Sequence, residues 1–377
     1  HGWFENLAVR ANIGTVGNQN FQLSQIMTLY NFLKMYDGVM GAEIMSIANP
    51  ELKWQTTLNR NIGLEFSLLQ GLVNLDFNYY SNITKNNLTD IAILPSTGFS
   101  TYKANMGKVR NQGYEFSLSI TPIKKNGWIV NAFVNGAHNK NKLLNISDAL
   151  RDYNEVIKEN QTAHLNYAGY TQLERIFLFE EGQSLNSIFA VRSMGIDPGT
   201  GQEIFVTADG VQTFQWNAAD QVVVGNTEPT LKGYFGLNVD YKRWSFGANF
   251  QYSFGADRYN KTLYEKIEGG NFAQNADRRA LTQRWTKPGD VAKYRGYGNT
   301  SQLKPTSRFV QKDDFLSMTS ARLSYTLNAN DLQALGISLL KFTLSTNDLF
   351  YVSTIKQERG LSYPFARTFY FSLQANF

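Results

Sequence analysis

The chain has 377 residues, no Cys, 18% charged residues and a formal net charge of +5. Those totals exclude disulfides and thiolate metal sites, and with no run of basic residues they give no footprint for nucleic acid. Aromatics are abundant at 14%, with 20 Tyr and 26 Phe, yet mean hydropathy is negative and no stretch approaches about 18 apolar residues, so no membrane helix is expected.

Apolar residues dispersed at a period of two mark strands with one apolar face. In chain order the alternation predicts about twelve strands, over 7–16, 53–69, 71–84, 108–122, 127–140, 170–179, 184–194, 231–242, 243–256, 315–327, 338–349 and 365–377. The stretch "LVNLDFNYY" sets Val73, Leu75, Phe77 and Tyr79 against Asn74, Asp76 and Asn78. In "WSFGANFQYSF", Trp244, Phe246, Ala248, Phe250, Tyr252 and Phe254 face away from Ser245, Gly247, Asn249, Gln251 and Ser253. The chain ends on "FYFSLQANF", alternating through Phe377. Alternation is faintest over 170–179 and 184–194. Most segments run to about 9–13 residues, the length of a tilted membrane strand rather than of an ordinary strand of about 5–6.

Connections between these segments alternate long and short. The long ones cover roughly 17–52, 85–107, 141–169, 195–230, 257–314 and 350–364. The short ones are Gln70, the "IKKN" and "EEGQ" turns, the Lys242/Arg243 junction and 328–337. Loops at one end and tight turns at the other are the asymmetry of an outer-membrane barrel. Asn, Gln, Ser and Gly on the second face suit a wet lumen. An apolar face holding Phe246, Phe250, Phe254, Phe116, Leu118, Phe342, Leu344, Phe371 and Leu373 is expected to meet lipid, with Asn249, Ser117, Thr343 and Ser372 inward. Trp54, Tyr79, Tyr80, Trp128 and Trp244 are expected at the membrane interfaces. Arg60 interrupts an apolar face and is expected near an interface.

Several blocks, in order, resemble the C-terminal barrel of the SusC/RagA-like TonB-dependent transporters. They include "LAVRANIGTVGNQNF", "ELKWQTTLNRNIGLEFSLLQGLVNLDFNYY", "GIDPGTGQEIF", "QRWTKPGD", "DDFLSMTSARLSYTL", "STNDLF" and the aromatic ending. The most specific is "STGFSTYKANMGKVRNQGYEFSLS", where Asn105, Gly107, Asn111, Gly113 and Glu115 fall at the family's spacing. The resemblance covers nearly all 377 residues and is least clear over 142–169 and 257–280. It implies an all-β transmembrane antiparallel barrel, with about twelve strands here forming roughly half of a 22-stranded wall. Residues 1–377 are then the C-terminal part of the barrel domain, and an N-terminal plug and the first barrel half lie outside them. The first residue is His1, so the chain reads as processed, trimmed or incomplete. On this reading the strand at 365–377 does not pair with that at 7–16, and both present free edges.

The resemblance also implies a function and partners. A nutrient oligomer, oligosaccharide or oligopeptide, enters at the outer mouth under a SusD-like surface lipoprotein. TonB supplies energy through the missing N-terminal region, and outer-membrane lipid surrounds the wall. Two other classes stay open: a self-contained 12-stranded passive porin, and an outer-membrane structural component without transport.

Catalysis is not expected. The three His residues, His1, His138 and His164, lack metal spacing and offer no Ser-His-Asp arrangement. His138 reads as a rim or lumen residue. Asp197 and Asp209 hint at a calcium loop but lack its acidic spacing, and Asp-Pro, Gly-Thr-Gly and Asp-Gly are turn signals. No cofactor is implied. Loop 257–314 holds the ligand candidates Tyr259, Tyr264, Trp285, Tyr294 and Arg278, with Phe272, Tyr297, Arg279, Arg284 and Lys287 nearby. Exposed aromatics stack on sugars or grip peptide side chains, and Arg binds polar ligand groups. The same aromatics also suit the private core that a long ordered loop needs, and "RWTKPGD" reads as architectural.

Overall fold

The computed structural model describes residues 4–19, 21–92, 98–99, 101–159, 178–270, 277–299, 303–328, 332, 336–356 and 366–377. Strand β1 (Phe4–Asn18) is followed by a small hairpin, β2 (Tyr30–Tyr36) and β3 (Val39–Ile44). Next come β4 (Gln55–Leu68) and β5 (Val73–Lys85), then a second small hairpin, β6 (Leu88–Ala92) and β7 (Thr101–Asn105). Long strands β8 (Gly107–Lys125) and β9 (Trp128–Ile146) lead to helix α1 (Asp148–Glu159). A separate sheet contains β10 (Ser187–Ile196), β11 (Glu203–Val206), β12 (Gln212–Thr213) and β13 (Gln221–Asn226). The chain then forms β14 (Leu231–Tyr241) and β15 (Trp244–Phe254), followed by β16 (Asp257–Tyr259), which pairs with β17 (Val310–Lys312) across a long loop. Strands β18 (Phe315–Asn328), β19 (Leu339–Asn347), β20 (Tyr351–Ser353) and β21 (Phe369–Asn376) complete the series.

The large sheet is antiparallel and runs β1-β4-β5-β8-β9-β14-β15-β18-β19-β21, with β20 beside β18. Neighbours in sequence are neighbours in space, as in an up-and-down wall. Its tight hairpins turn through residues at positive φ: Leu69, Gln70 and Gly71, then Asn126 and Gly127, then Lys242. Among the described residues β1 pairs with β4 alone and β21 with β19 alone, so the first and last strands are not joined to each other.

One expected wall strand is absent from this path, and a second falls mostly outside the described residues. The segment 184–194 does form a strand, β10, but in the separate sheet. Ile188, Phe189, Ala190 and Val191 are buried in succession, so the strand is covered on both faces and carries no lipid face. The segment 170–179 lies mostly outside the described residues. Strand β9 pairs directly with β14, so 147–230 is one long connection and the "EEGQ" turn lies within it.

Register sorts the side chains. One row runs Leu64, Phe77, Phe116, Gly136, Gly233, Tyr252, Leu316, and another Phe66, Leu75, Leu118, Val134, Phe235, Phe250, Met318. Between them lies Glu65, Asp76, Ser117, Asn135, Tyr234, Gln251, Ser317. The apolar rows face lipid and the polar row faces the lumen. Phe235 stacks on Phe250 with centroids 4.8 Å apart, while Asn249 donates to Ser320 and Ser324 lies 3.1 Å from Thr343 on the wet side. Gly136 and Gly233 are neighbours on the lipid face; a Cβ on either would strike the Tyr252 hydroxyl at 2.8 Å, and one on Gly136 the Phe116 ring at 2.6 Å. Tyr252 lies across them and donates to the Asn135 carbonyl, so an aromatic ring fills the width that glycine leaves.

Aromatic residues close the apolar band at both ends. Trp128, Tyr241, Trp244 and Tyr325 share the row at the short-turn end. Ile62, Tyr79, Tyr114 and His138 share the row at the loop end. Trp128 and His138 are ten residues apart on β9, about 33 Å along the strand and about 25 Å along the membrane normal at the usual tilt. Two placements differ from expectation. Tyr80 faces the lumen and donates to Asn139 Oδ1, and His138 sits on the outward row, 5.1 Å from the Tyr114 ring centre. Arg60 is outward and one row beyond Ile62, at the interface.

Candidate functional site

The long connections gather at the loop end of the wall, and their roots are tied to its lumen face by amides. Asn141 donates to Asn111 at 2.7 Å and accepts from the Leu185 N–H at 2.8 Å. Glu228 accepts from Asn139 of the wall at 2.6 Å and from Asn186, beside β10, at 3.0 Å. Below this clamp lie two open lumen grooves of about 590 and 600 Å³. Asn12, Asn59, Asn61, Asn82 and Asn139 line the first, and Asp76, Asn78, Ser117 and Gln251 the second, with Glu115 and Lys232 common to both.

Above the grooves the separate sheet and loop 257–314 are joined by buried charge. Arg308 donates to Glu203 Oε1 and Oε2 at 3.1 and 2.8 Å, to the Lys293 carbonyl at 2.7 Å, and to Glu268. Arg295 reaches the other Glu268 oxygen at 2.9 Å, and Thr306 donates to Glu203 at 2.7 Å. The Glu268 side chain is wholly inaccessible, so each oxygen depends on these donors. Burial by itself pushes the Arg308 guanidinium down; the charges of Glu203 and then Glu268, with their hydrogen bonds, outweigh it and hold it above its ordinary value. Arg284 is also buried. It donates to the carbonyls of Ile267, Glu268, Ala280 and Arg295, closing the end of the π-helix Thr262–Glu268.

The five candidates occupy different positions in this body. Tyr264 is buried, donates to the Leu303 carbonyl at 2.9 Å and meets Phe309 edge-on at 5.1 Å. Tyr294 is buried with Ile267 and Ala280. Trp285 donates to the Pro198 carbonyl at 2.9 Å and lies over Gly201, locking the "DPGTG" turn to loop 257–314. Arg278 is exposed on the short helix Arg278–Thr282. Tyr259 lines a cavity of about 620 Å³ with Ile188, Thr227, Arg258, Asp313 and Tyr351. Its ring touches Tyr264 and Phe309, and burial first, then Tyr264 and Glu203, raise its phenol well above the ordinary value. Phe272 lies outside the described residues. Asp197 accepts from Thr200 and Gly199 within its own turn. No group of three potential metal ligands occurs among the described residues. Glu203, Glu228, Glu268 and Arg308 escaped the sequence reading, since partners as far apart as 105 residues leave no local pattern.

Two outcomes follow from this geometry. Gly201 has φ +72°, and a Cβ there would come within 2.5 Å of the Trp285 ring, so Gly201→Ala should destabilise the turn by about 1–3 kcal/mol. Earlier proteolytic nicking near 198–202 on warming would show it. Asp277 caps the short helix, and its hydrogen bonds from the Arg279 side chain and backbone hold its carboxyl down to about 2. A depressed carboxyl stabilises above its ordinary value near 3.8 and ceases to as pH falls through about 2. Pepsin cleavage around 278–284 should therefore rise between those values, and Asp277→Asn should flatten the rise.

A continuous antiparallel wall with a lipid face about 25 Å tall, two aromatic girdles, a polar inner face and all its large loops at one end is an outer-membrane β-barrel. Residues 2–188 match the family described as TonB dependent receptor-like, beta-barrel, and this part of the chain is a TonB-dependent receptor beta-barrel domain. It is 27% identical over 388 residues to TonB-dependent receptor P39 of Formosa agariphila, covering 93% of this chain and 37% of that protein. It is 24% identical over 291 residues to TonB-dependent receptor SusC of Bacteroides thetaiotaomicron, covering 72% of this chain and 27% of that one. The fold matches the structure of the RagAB peptide transporter with a TM-score of 0.77 at 22% identity, over 95% of this chain and 38% of the other. The chain thus spans between about a quarter and two fifths of the length of these relatives. It is a protein of the bacterial outer membrane.

Proposed function

We propose that this chain is part of the wall and outer mouth of an active transporter that imports a nutrient oligomer, oligosaccharide or oligopeptide, with energy from TonB. The observation that carries the reading is the joining of a TonB-dependent receptor barrel to a rigid loop body above amide-lined grooves. Asn and Gln amides donate and accept at once, which suits both sugar hydroxyls and peptide bonds. Tyr259 and Arg278 contact ligand, while Tyr264, Tyr294 and Trp285 hold the loops that carry them. A lipoprotein lid of the SusD type seats on the loop end. The exposed edges of β1 and β21 are completed by further barrel strands, and a plug outside these residues receives the pull of TonB.

Uptake of labelled oligopeptides and oligosaccharides by cells carrying the full-length protein tests this. Import of one class should stop when TonB is removed, and Tyr259→Ala should lower it while the amount of folded barrel stays constant. Import that continues without TonB would replace this reading with the passive pore.

A further inference from the structure

Beyond the loop-end girdle, strands β4, β5, β8 and β9 continue outward. Three further rows can be read on their lipid-side face. The first is Ile13, Arg60, Ser81, Gln112, Lys140; the second Thr15, Leu58, Ile83, Arg110, Lys142; the third Gly17, Thr56, Lys85, Lys108. Six of these fourteen positions are basic and none is acidic. The facing is fixed by their neighbours. Asn59, Asn61, Asn111 and Asn139 line the lumen groove, and Thr84, Val109 and Leu143 are buried beneath the loops, so the residues alternating with them point out.

Charge of one sign is costly in this arrangement. Lys85 lies directly opposite Lys108, and Arg110 directly opposite Lys142. Like charges at opposed sheet positions repel. No ion pair relieves any of the six among the described residues, and the Arg110 Nε–H is buried without an acceptor. Glu181, at the end of the same edge, is held by Arg151 and the Ile146 N–H. The sequence hides this band, because its members are scattered over four strands and meet only through register.

Height identifies the missing anion. Arg60 and Lys140 sit one row above the aromatic girdle, about 7 Å along the strand, and Arg110 and Lys142 one row higher. That is the headgroup level of the outer leaflet, where cationic side chains meet lipid phosphate. We propose that Arg60, Lys85, Lys108, Arg110, Lys140 and Lys142 form a binding site for the phosphorylated headgroup of an outer-leaflet glycolipid. The guanidiniums of Arg60 and Arg110 offer paired donors to phosphate, and the four lysines surround it with charge. Bound glycolipid would neutralise the opposed pairs and fix the height of this wall segment in the membrane.

The test uses full-length protein, delipidated in detergent and incubated with phosphorylated lipid A or with the same lipid A after phosphatase treatment. Native mass spectrometry reads the lipid retained. Wild type should retain the phosphorylated form at least about tenfold better than the dephosphorylated form. The variant R60Q/R110Q/K140Q/K142Q should lose that preference, and K124Q/K125Q, an equal kind of change at the opposite end of the barrel, should keep it. Equal retention of the two lipids by wild type overturns the proposal whatever the variants do. So does a preference that survives the quadruple change or disappears with K124Q/K125Q.

Discussion

Replacing Arg308 with Met is expected to lower the local stability of the loop body by roughly 3–5 kcal/mol. The guanidinium serves two buried carboxylates, Glu203 on β11 and Glu268 at the end of the π-helix. Removing it takes from Glu203 its bidentate partner, leaving the Thr306 hydroxyl as a donor, and takes from Glu268 the partner of one oxygen, leaving Arg295 on the other. Lost attraction is the smaller part of the cost; the larger part is the desolvation of carboxylates left without their partner. Arg308→Lys keeps the charge but cannot fork across both acids, so its loss should be intermediate. Hydrogen exchange would read the effect as amides of β10, β11 and the π-helix exchanging about two to four orders of magnitude faster. Amides of β5 and β8 should not change, because the wall holds itself by its own ladder.

A second large effect belongs to the lipid face. Phe235 lies near mid-height of the apolar band, six residues above Tyr241 on β14, and is stacked on Phe250. Phe235→Arg places a charge in hydrocarbon at a cost of about 2–4 kcal/mol and removes the aromatic pair as well. The heat-modifiable, folded fraction in the outer membrane should fall sharply. Gln251→Arg, one position along from Phe250 on the neighbouring strand, faces the wet groove and should assemble within about 0.5 kcal/mol of wild type. Equal damage from the two substitutions would mean that the faces have been assigned wrongly.

These effects also show which parts of the molecule its sequence discloses. Period-two alternation locates a strand whose two faces meet different media, and it identified the staves from β1 to β21 because lipid and lumen differ so strongly. It could not assign β10, where Ile188 to Val191 form a short apolar run, because such a run fits any strand covered on both sides. Tyr80 reads as a girdle residue because it is an aromatic near a strand end, but adjacent strand residues point to opposite faces, so with Tyr79 outward it faces the lumen. The loops disclose least. From sequence Tyr264 and Tyr294 are ligand candidates that also suit the loop's own packing; the fold places them against Phe309 and Ile267. The charges that join the loops come from β11, the end of the π-helix and the turn Ser307–Phe309, and no spacing rule connects them.

The account stands most directly on orientation: loops outside the cell, tight turns in the periplasm, the apolar rows in lipid. The 377 residues contain no Cys, so a cysteine placed here is the one thiol of this segment, and the unsubstituted full-length protein gives the labelling background. Val291 is 95% exposed on the long loop, Lys125 borders a tight turn and Phe235 lies in the apolar band. A membrane-impermeant maleimide applied to intact cells should label Val291→Cys. It should reach Lys125→Cys only after the outer membrane is opened, and leave Phe235→Cys unlabelled in both conditions. Labelling of Lys125→Cys in intact cells with Val291→Cys protected, or of Phe235→Cys as readily as Val291→Cys, would contradict the barrel described above.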